Sequence, residues 1–214
     1  MSMLLYNTLV PQITKIKAQK NQKRVNLYLD GKFAFGLDAD NFLKAGLKVG
    51  QPLSQKQVDD LIFKNEFQKL LDRTLRLIAR RPHSDKEIRD YLKKKKTSLK
   101  IIEEIMKRLK KLNQVNDEEF TQWWVEQRVT FRPRGKFGLT MELRQKGIEN
   151  NLIEKTVEKI NELPLAEKVA QKKTKFLKNL PRKEAYQKLS AYLARRGFSW
   201  ETIKIVVAKF LPEW

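Results

Sequence analysis

A chain of 214 residues with 46 Lys and Arg against 25 Asp and Glu carries a formal charge of +21 at neutral pH. Such an excess repels itself in a compact fold and suits a polyanionic partner: nucleic acid first, an anionic membrane or an acidic protein surface next. There is no Cys and one His, so disulfides, thiolate metal sites and cysteine nucleophiles are excluded, and an imidazole-based metal site or triad would have to be built on His83 alone.

The chain opens MSMLLYNTLVPQITK, with no basic segment ahead of its apolar residues and no apolar run of signal length. No later run approaches a membrane span, and the absence of Cys fits a cytoplasmic setting. Alternation at Ile13 to Lys17, then at Val25, Leu27 and Leu29, then at Phe33, Phe35 and Leu37 predicts about three antiparallel strands over residues 12–37. Asp30-Gly31 is a type I′ hairpin signal, since both central residues of that turn need positive φ. Asp38 is placed to cap a short helix ended by Gly46, and Ser54 with Gln57 forms a capping box for another short helix beginning near Gln55.

From about residue 66 the pattern is helical to the end. Pro82, Pro133 and Pro181 stand about fifty residues apart, and aligning Leu92, Leu143 and Leu193 exposes a shared apolar frame. Ile102, Ile153 and Ile203 fall at one position of it, Met106, Val157 and Val207 at another, and Leu109, Ile160 and Phe210 at a third. Ile78, Val129 and Leu177 precede the prolines by four residues, and the third unit carries two extra residues between its proline and its leucine. Helices are expected at 66–80, 85–95 and 99–112; at 117–130, 135–146 and 150–161; and at 165–178, 182–195 and 200–211. Ser84 with Glu87 and Asn116 with Glu119 read as caps, Ser199 as an N-cap, and Gly147 and Gly197 as C′ glycines where the first unit has Lys96. The expected fold is mainly α: three tandem three-helix repeats forming an elongated curved array, preceded by a small antiparallel β module with short helices. The boundaries are 1–53 for the N-terminal β-hairpin module and 54–112 for a linking helix with the first repeat, then 113–162 and 163–214 for the second and third repeats.

Residues that carry catalysis are scarce. There is no Gly-rich phosphate loop, and the carboxylate runs Glu103-Glu104 and Asp117-Glu118-Glu119 fall on helix surfaces or N-termini. No catalytic residue, metal ligand or cofactor site is expected; His83 suits a turn or a phosphate contact. The basic residues recur instead around each proline turn and middle helix. The candidate interface comprises Arg80, Arg81, Lys86, Arg89 and Lys93; Arg128, Arg132, Arg134, Lys136, Arg144 and Lys146; and Arg182, Lys183, Arg195 and Arg196. Charges repeated at equivalent places form a stripe that suits a repeating anion such as a nucleic-acid backbone, and arginines favour bidentate phosphate contacts. Solubilising lysines are the plainer account of the Lys93–Lys96 run. Of Trp123 and Trp124, one is expected in the core and one at an inter-repeat contact, base stacking being the alternative; Trp200 and Trp214 read as packing residues.

The stretch from Arg80-Arg81-Pro82-His83-Ser84 through Asp85-Lys86-Glu87-Ile88-Arg89-Asp90-Tyr91-Leu92 is distinctive when taken with Asn116-Asp117-Glu118-Glu119-Phe120, Arg132-Pro133-Arg134-Gly135 and Glu142-Leu143-Arg144-Gln145-Lys146-Gly147-Ile148. In this order and spacing they resemble the RecX family, bacterial regulators of the RecA recombinase, over about residues 66–212, and the strands ahead of them are similar to an extension some members carry. The resemblance implies a small cytoplasmic monomer, not an enzyme, that binds the RecA–single-stranded DNA filament along its groove. It implies suppression of recombinase activity, with DNA, single- and double-stranded, as a further partner. The chain departs from the family pattern at Lys96 and at Asn113-Gln114-Val115-Asn116. A free-standing DNA- or RNA-binding protein without a recombinase partner is the alternative; a nuclease would need a carboxylate cluster that the sequence does not supply.

Overall fold

A computed structural model describes residues 10–20 and 22–211; the start of the chain, where the sequence predicts no leader, and Trp214 lie outside the described residues. Two compact units are present: one holds the chain through Leu77 with Lys96–Lys107, the other Ile78–Lys95 with Arg108 onward.

The first unit starts with a three-stranded antiparallel sheet in the order β1-β2-β3, formed by Ile13–Ala18, Arg24–Leu29 and Lys32–Asp38. Asp30 and Gly31 have φ of 48° and 80°, as the hairpin signal requires. A register shift between Leu27 and Tyr28 pairs Tyr28 with Phe33 and Leu27 with Phe35. That bulge changes the parity of the alternation, so Phe33 leaves the apolar face and lies edge-on to Tyr28 in the open. Ile13, Leu27, Leu37, Leu47, Leu53 and Val58 close the small core. Helix α1 (Ala39–Ala45) is capped by Asp38, which accepts from the Asn41 amide, and ends on left-handed Gly46. The Ser54 box forms in both directions: the Gln57 amide donates to Ser54 Oγ and the Ser54 amide to Gln57 Oε1. The helix it starts is not short, however. Helix α2 runs unbroken from Gln55 to Ile78, because no Gly or Pro interrupts residues 55–78.

The remaining helices are α3 (Asp85–Lys94), α4 (Leu99–Lys111), α5 (Asp117–Phe131), α6 (Lys136–Gln145), α7 (Asn150–Val157), α8 (Glu162–Thr174), α9 (Arg182–Arg195) and α10 (Trp200–Phe210). The repeat frame is the core: Leu92, Leu143, Leu193, Ile102, Ile153, Ile203, Met106, Val157 and Val207 are all buried. Two apolar clusters pack the second and third repeats. One is centred on Phe120, Leu139 and Leu143, the other on Leu189, Leu193 and Val206, and Val129 packs against both.

The repeats close their middle helices in one way. Gly147 and Gly197 have φ of 81° and 77°, and Lys96 accepts the same left-handed geometry at 58° despite its side chain. Helix α8 begins at Glu162, three residues before its expected start, since Asn161 caps it through the Leu163 amide and Pro164 is tolerated in a first turn. It also ends earlier, at Thr174, and α7 stops at Val157. The third repeat's two extra residues lie within α9, which also begins directly after Pro181 where α3 and α6 begin three residues after their prolines, so it has 14 residues where they have 10. Arg182 and Lys183 therefore stand in a helix rather than in a turn like that around Pro133. Trp200 is 53% exposed with Lys204 near its ring, so it is not a packing residue.

Candidate nucleic-acid interface

Two joints of the second unit place the basic residues, and the backbone builds both alike. At each, the first residues of one repeat's middle helix meet the C-terminal turn of the next repeat's middle helix. Ser84, the N-cap of α3, donates its hydroxyl to the Lys146 carbonyl at 2.7 Å; Gly135, the N-cap of α6, donates its amide to the Arg196 carbonyl at 3.1 Å. The first amide of each helix, which has no intrahelical partner, is taken by a carboxylate at the start of the next repeat. Asp85 donates to Asp117 Oδ1 at 2.8 Å, and Lys136 donates to Glu162 Oε1. Buried Glu162 also accepts from the Ser199 amide at 3.1 Å and the Thr202 hydroxyl at 3.2 Å. Burial raises the Asp117 carboxyl above its ordinary value.

The first joint is held by charge. Glu87 does not reach back to complete a capping box with Ser84. It takes Arg81 through both oxygens, at 2.8 and 3.2 Å, and Lys146 Nζ at 2.5 Å. Burial pushes the Glu87 carboxyl up, but the hydrogen bonds from Arg81 and Lys146 outweigh it and hold the group below the ordinary 4.5. Asp85 is likewise held low, burial being outweighed by its bonds to Lys110 and Arg89. The second joint is held by close approach. A Cβ on Gly135 would lie 2.1 Å from the Gly197 carbonyl oxygen, and one on Gly197 would lie 2.1 Å from the Gly138 nitrogen.

Four arginines line one cleft of about 360 Å³ at this second joint: Arg128, Arg132, Arg134 and Arg196. Glu142, on α6, takes Nε of Arg128 at 2.6 Å, Nε of Arg134 at 2.8 Å and the Trp124 indole N–H at 3.0 Å. Arg196 is fixed by the Pro133 carbonyl and the Tyr192 hydroxyl. Arg132 is exposed and makes no side-chain hydrogen bond or ion pair among the described residues. Four guanidinium groups thus line the cleft, two of them held by one carboxylate, and such a concentration of guanidinium charge suits a phosphate.

The other candidate residues are distributed more loosely. Arg81 and Lys146 meet at Glu87, with Arg81 over Trp123 and Lys146 over Trp124. Lys136 Nζ bonds the Glu158 carbonyl, Arg144 bonds Asn150, and Lys86 pairs with Asp90 on the α3 surface. Arg182 reaches the Leu211 carbonyl. Arg80, Lys93, Lys183 and Arg195 are exposed. Both tryptophans are half-buried against the Phe120 cluster. Trp123 touches the first repeat through Arg81, whereas Trp124 carries both Arg128 and Lys146 over its ring. That ring is thus already engaged by two cations. His83 is buried, and its Nδ1 faces the Arg81 carbonyl at 2.8 Å, so that nitrogen is the donor. Burial lowers its pKa, which fits a turn role rather than a phosphate contact. Glu142 opens one of the distinctive stretches but is not among the candidate interface residues. In the repeat it stands where the first and third units have Tyr91 and Tyr192. Among the described residues no group of three or more His, Asp or Glu is placed to hold a metal ion, and no helix is long and apolar enough to cross a membrane.

Four family profiles match in chain order: the regulatory protein RecX N-terminal domain over residues 11–54, and the first, second and third RecX three-helix domains over 71–109, 116–157 and 161–207. The regulatory protein RecX of Bacillus pumilus is 37% identical over 91% of this chain and 75% of its own length. That of Clostridium beijerinckii is 32% identical over 94% of this chain and 96% of its own. A crystal structure of regulatory protein RecX superposes with a TM-score of 0.67 at 27% identity, covering 92% of this chain and 98% of the other. With its strand module and its three three-helix domains all matched in order, the chain belongs to the RecX family of regulatory proteins.

Proposed function

We propose that this protein regulates a RecA recombinase, mainly as an inhibitor, by binding the RecA–single-stranded DNA filament along its groove, and that it thereby modulates recombination and the SOS response. It acts by binding and not by catalysis, as a cytoplasmic monomer without a cofactor. The observation that carries this reading is the second joint, where four arginines line one cleft and one carboxylate, Glu142, aligns two of them, Arg128 and Arg134. The family's name supports the recombinase as partner, and the +21 charge supports DNA, single- and double-stranded, as the other.

The test is RecA-coupled ATP hydrolysis and strand exchange with this protein added at substoichiometric levels. Inhibition of both is expected. Full rates of both, beside tight binding to naked DNA that RecA leaves unchanged, would favour a free-standing nucleic-acid-binding protein instead.

A further inference from the structure

Phe131, the last residue of α5, is 69% exposed and makes no ring stack among the described residues. It borders a second cleft, of about 130 Å³, with Pro133, Lys168, Lys172 and Tyr192. Arg132 and Arg196 line both this cleft and the arginine cleft, so the two adjoin. Tyr192 is already engaged: Arg196 and Lys173 lie over its ring at 4.8 and 5.2 Å. Phe131 is the aromatic face left open here, and no carboxylate lines either cleft.

Glu142 gives this arrangement its direction. It takes Arg128 and Arg134 by Nε and leaves the Nη ends of both without a hydrogen bond among the described residues. Its own side chain is only 15% exposed and lies outside the cleft lining. A carboxylate so placed aligns two guanidinium groups without occupying the space between them.

We propose that this joint is a subsite for single-stranded nucleic acid: the arginine cleft holds a backbone phosphate, Phe131 stacks on the adjoining base, and Glu142 is the positioning residue that aims Arg128 and Arg134. An open aromatic beside a cationic cleft matches the way unpaired strands are held, by base stacking and phosphate neutralisation together. A paired base inside a duplex has both faces covered by its neighbours and cannot lie on Phe131. The inference deepens the filament reading, since it names what the same joint grips.

The experiment is fluorescence anisotropy of the intact protein with a labelled oligothymidylate and with a hairpin duplex of equal length, across a salt series and without RecA. The variants are Phe131→Ala, Arg132→Ala and Glu142→Gln. Phe131 and Arg132 are exposed, so their truncation leaves the core intact. Phe131→Ala is expected to weaken oligothymidylate binding about five- to hundredfold with its salt slope unchanged, and to erase much of the preference over duplex. Arg132→Ala is expected to reduce the single-strand salt slope by about 0.7. Glu142→Gln is expected to weaken binding although it removes a negative charge, which separates positioning from bulk electrostatics. The proposal is overturned if Phe131→Ala weakens both ligands equally or neither, or if Glu142→Gln binds more tightly. The same variants in the RecA ATPase assay separate the two readings. Inhibition by the unaltered protein that survives all three substitutions defeats the subsite and keeps the filament. Oligonucleotide binding as described without any effect on RecA defeats the filament and keeps the subsite.

Discussion

Glu87 and Glu142 are single carboxylates that each hold two basic side chains, and the surroundings of each predict a different result. Glu87 and Asp85 have folded pKa values below their ordinary 4.5 and 3.8. Their contribution to stability is complete above those values and is lost as pH falls through the lower, folded ones. The urea midpoint should therefore drop on acidification below about pH 4.5, and Glu87→Gln should flatten that drop while lowering the midpoint at pH 7; a variant as steep as the parent would contradict this. Around Glu142, Arg132→Ala with Arg134→Ala should weaken filament binding and flatten its salt dependence by one or two ions, and an unchanged slope would move the interface elsewhere. The glycines give a third contrast. A Cβ at Gly147 meets only the Lys86 side chain, at 2.7 Å, whereas one at Gly197 meets Gly138 backbone at 2.1 Å. Gly147→Ala should cost about 1–2 kcal/mol for the left-handed backbone, and Gly197→Ala clearly more, as read by denaturant midpoints. The sequence marks both as helix-ending glycines because their position in the repeat says so. It does not mark Gly135 or Gly138, whose need for hydrogen in place of Cβ comes from a chain segment sixty residues away. Glu142 was hidden for the same reason: its three partners lie on another helix and its loop.

At the scale of elements, most of what the sequence shows is local. Hairpin turn, caps and C′ residues are set by a few neighbouring residues, and the structure forms them where Asp30-Gly31, Asp38, Ser54, Asn116, Ser199, Gly147 and Gly197 stand. The differences arise where a tertiary partner competes for the same group. Glu87 leaves its capping role for Arg81 and Lys146, and α8 starts early on Asn161 so that Glu162 meets the amides of Lys136 and Ser199. Glu162→Ala strands those two donors and should cost about 2 kcal/mol. That corresponds to a fall in melting temperature of roughly 4–8 °C for a chain of this size. A loss below about 1 °C would show that the second joint rests on glycine packing alone.

For the whole molecule, the repeat was legible because each copy buries the same frame, Leu92, Leu143 and Leu193 among it. The stripe of charge was less legible. The repeat places basic residues at equivalent positions, but their partners divide them: Arg81 and Lys146 are committed to Glu87, while Arg132 is left open. Fold regularity and charge regularity are thus different properties, and the second joint is where they coincide with an uncommitted cation. The central claim, that the partner is a RecA filament and not DNA or RecA alone, is tested most directly by pull-down of RecA on immobilised protein, with and without single-stranded DNA and nucleotide. Strong retention only when both are present is the predicted result; retention that is absent, or indifferent to DNA and nucleotide, would contradict it.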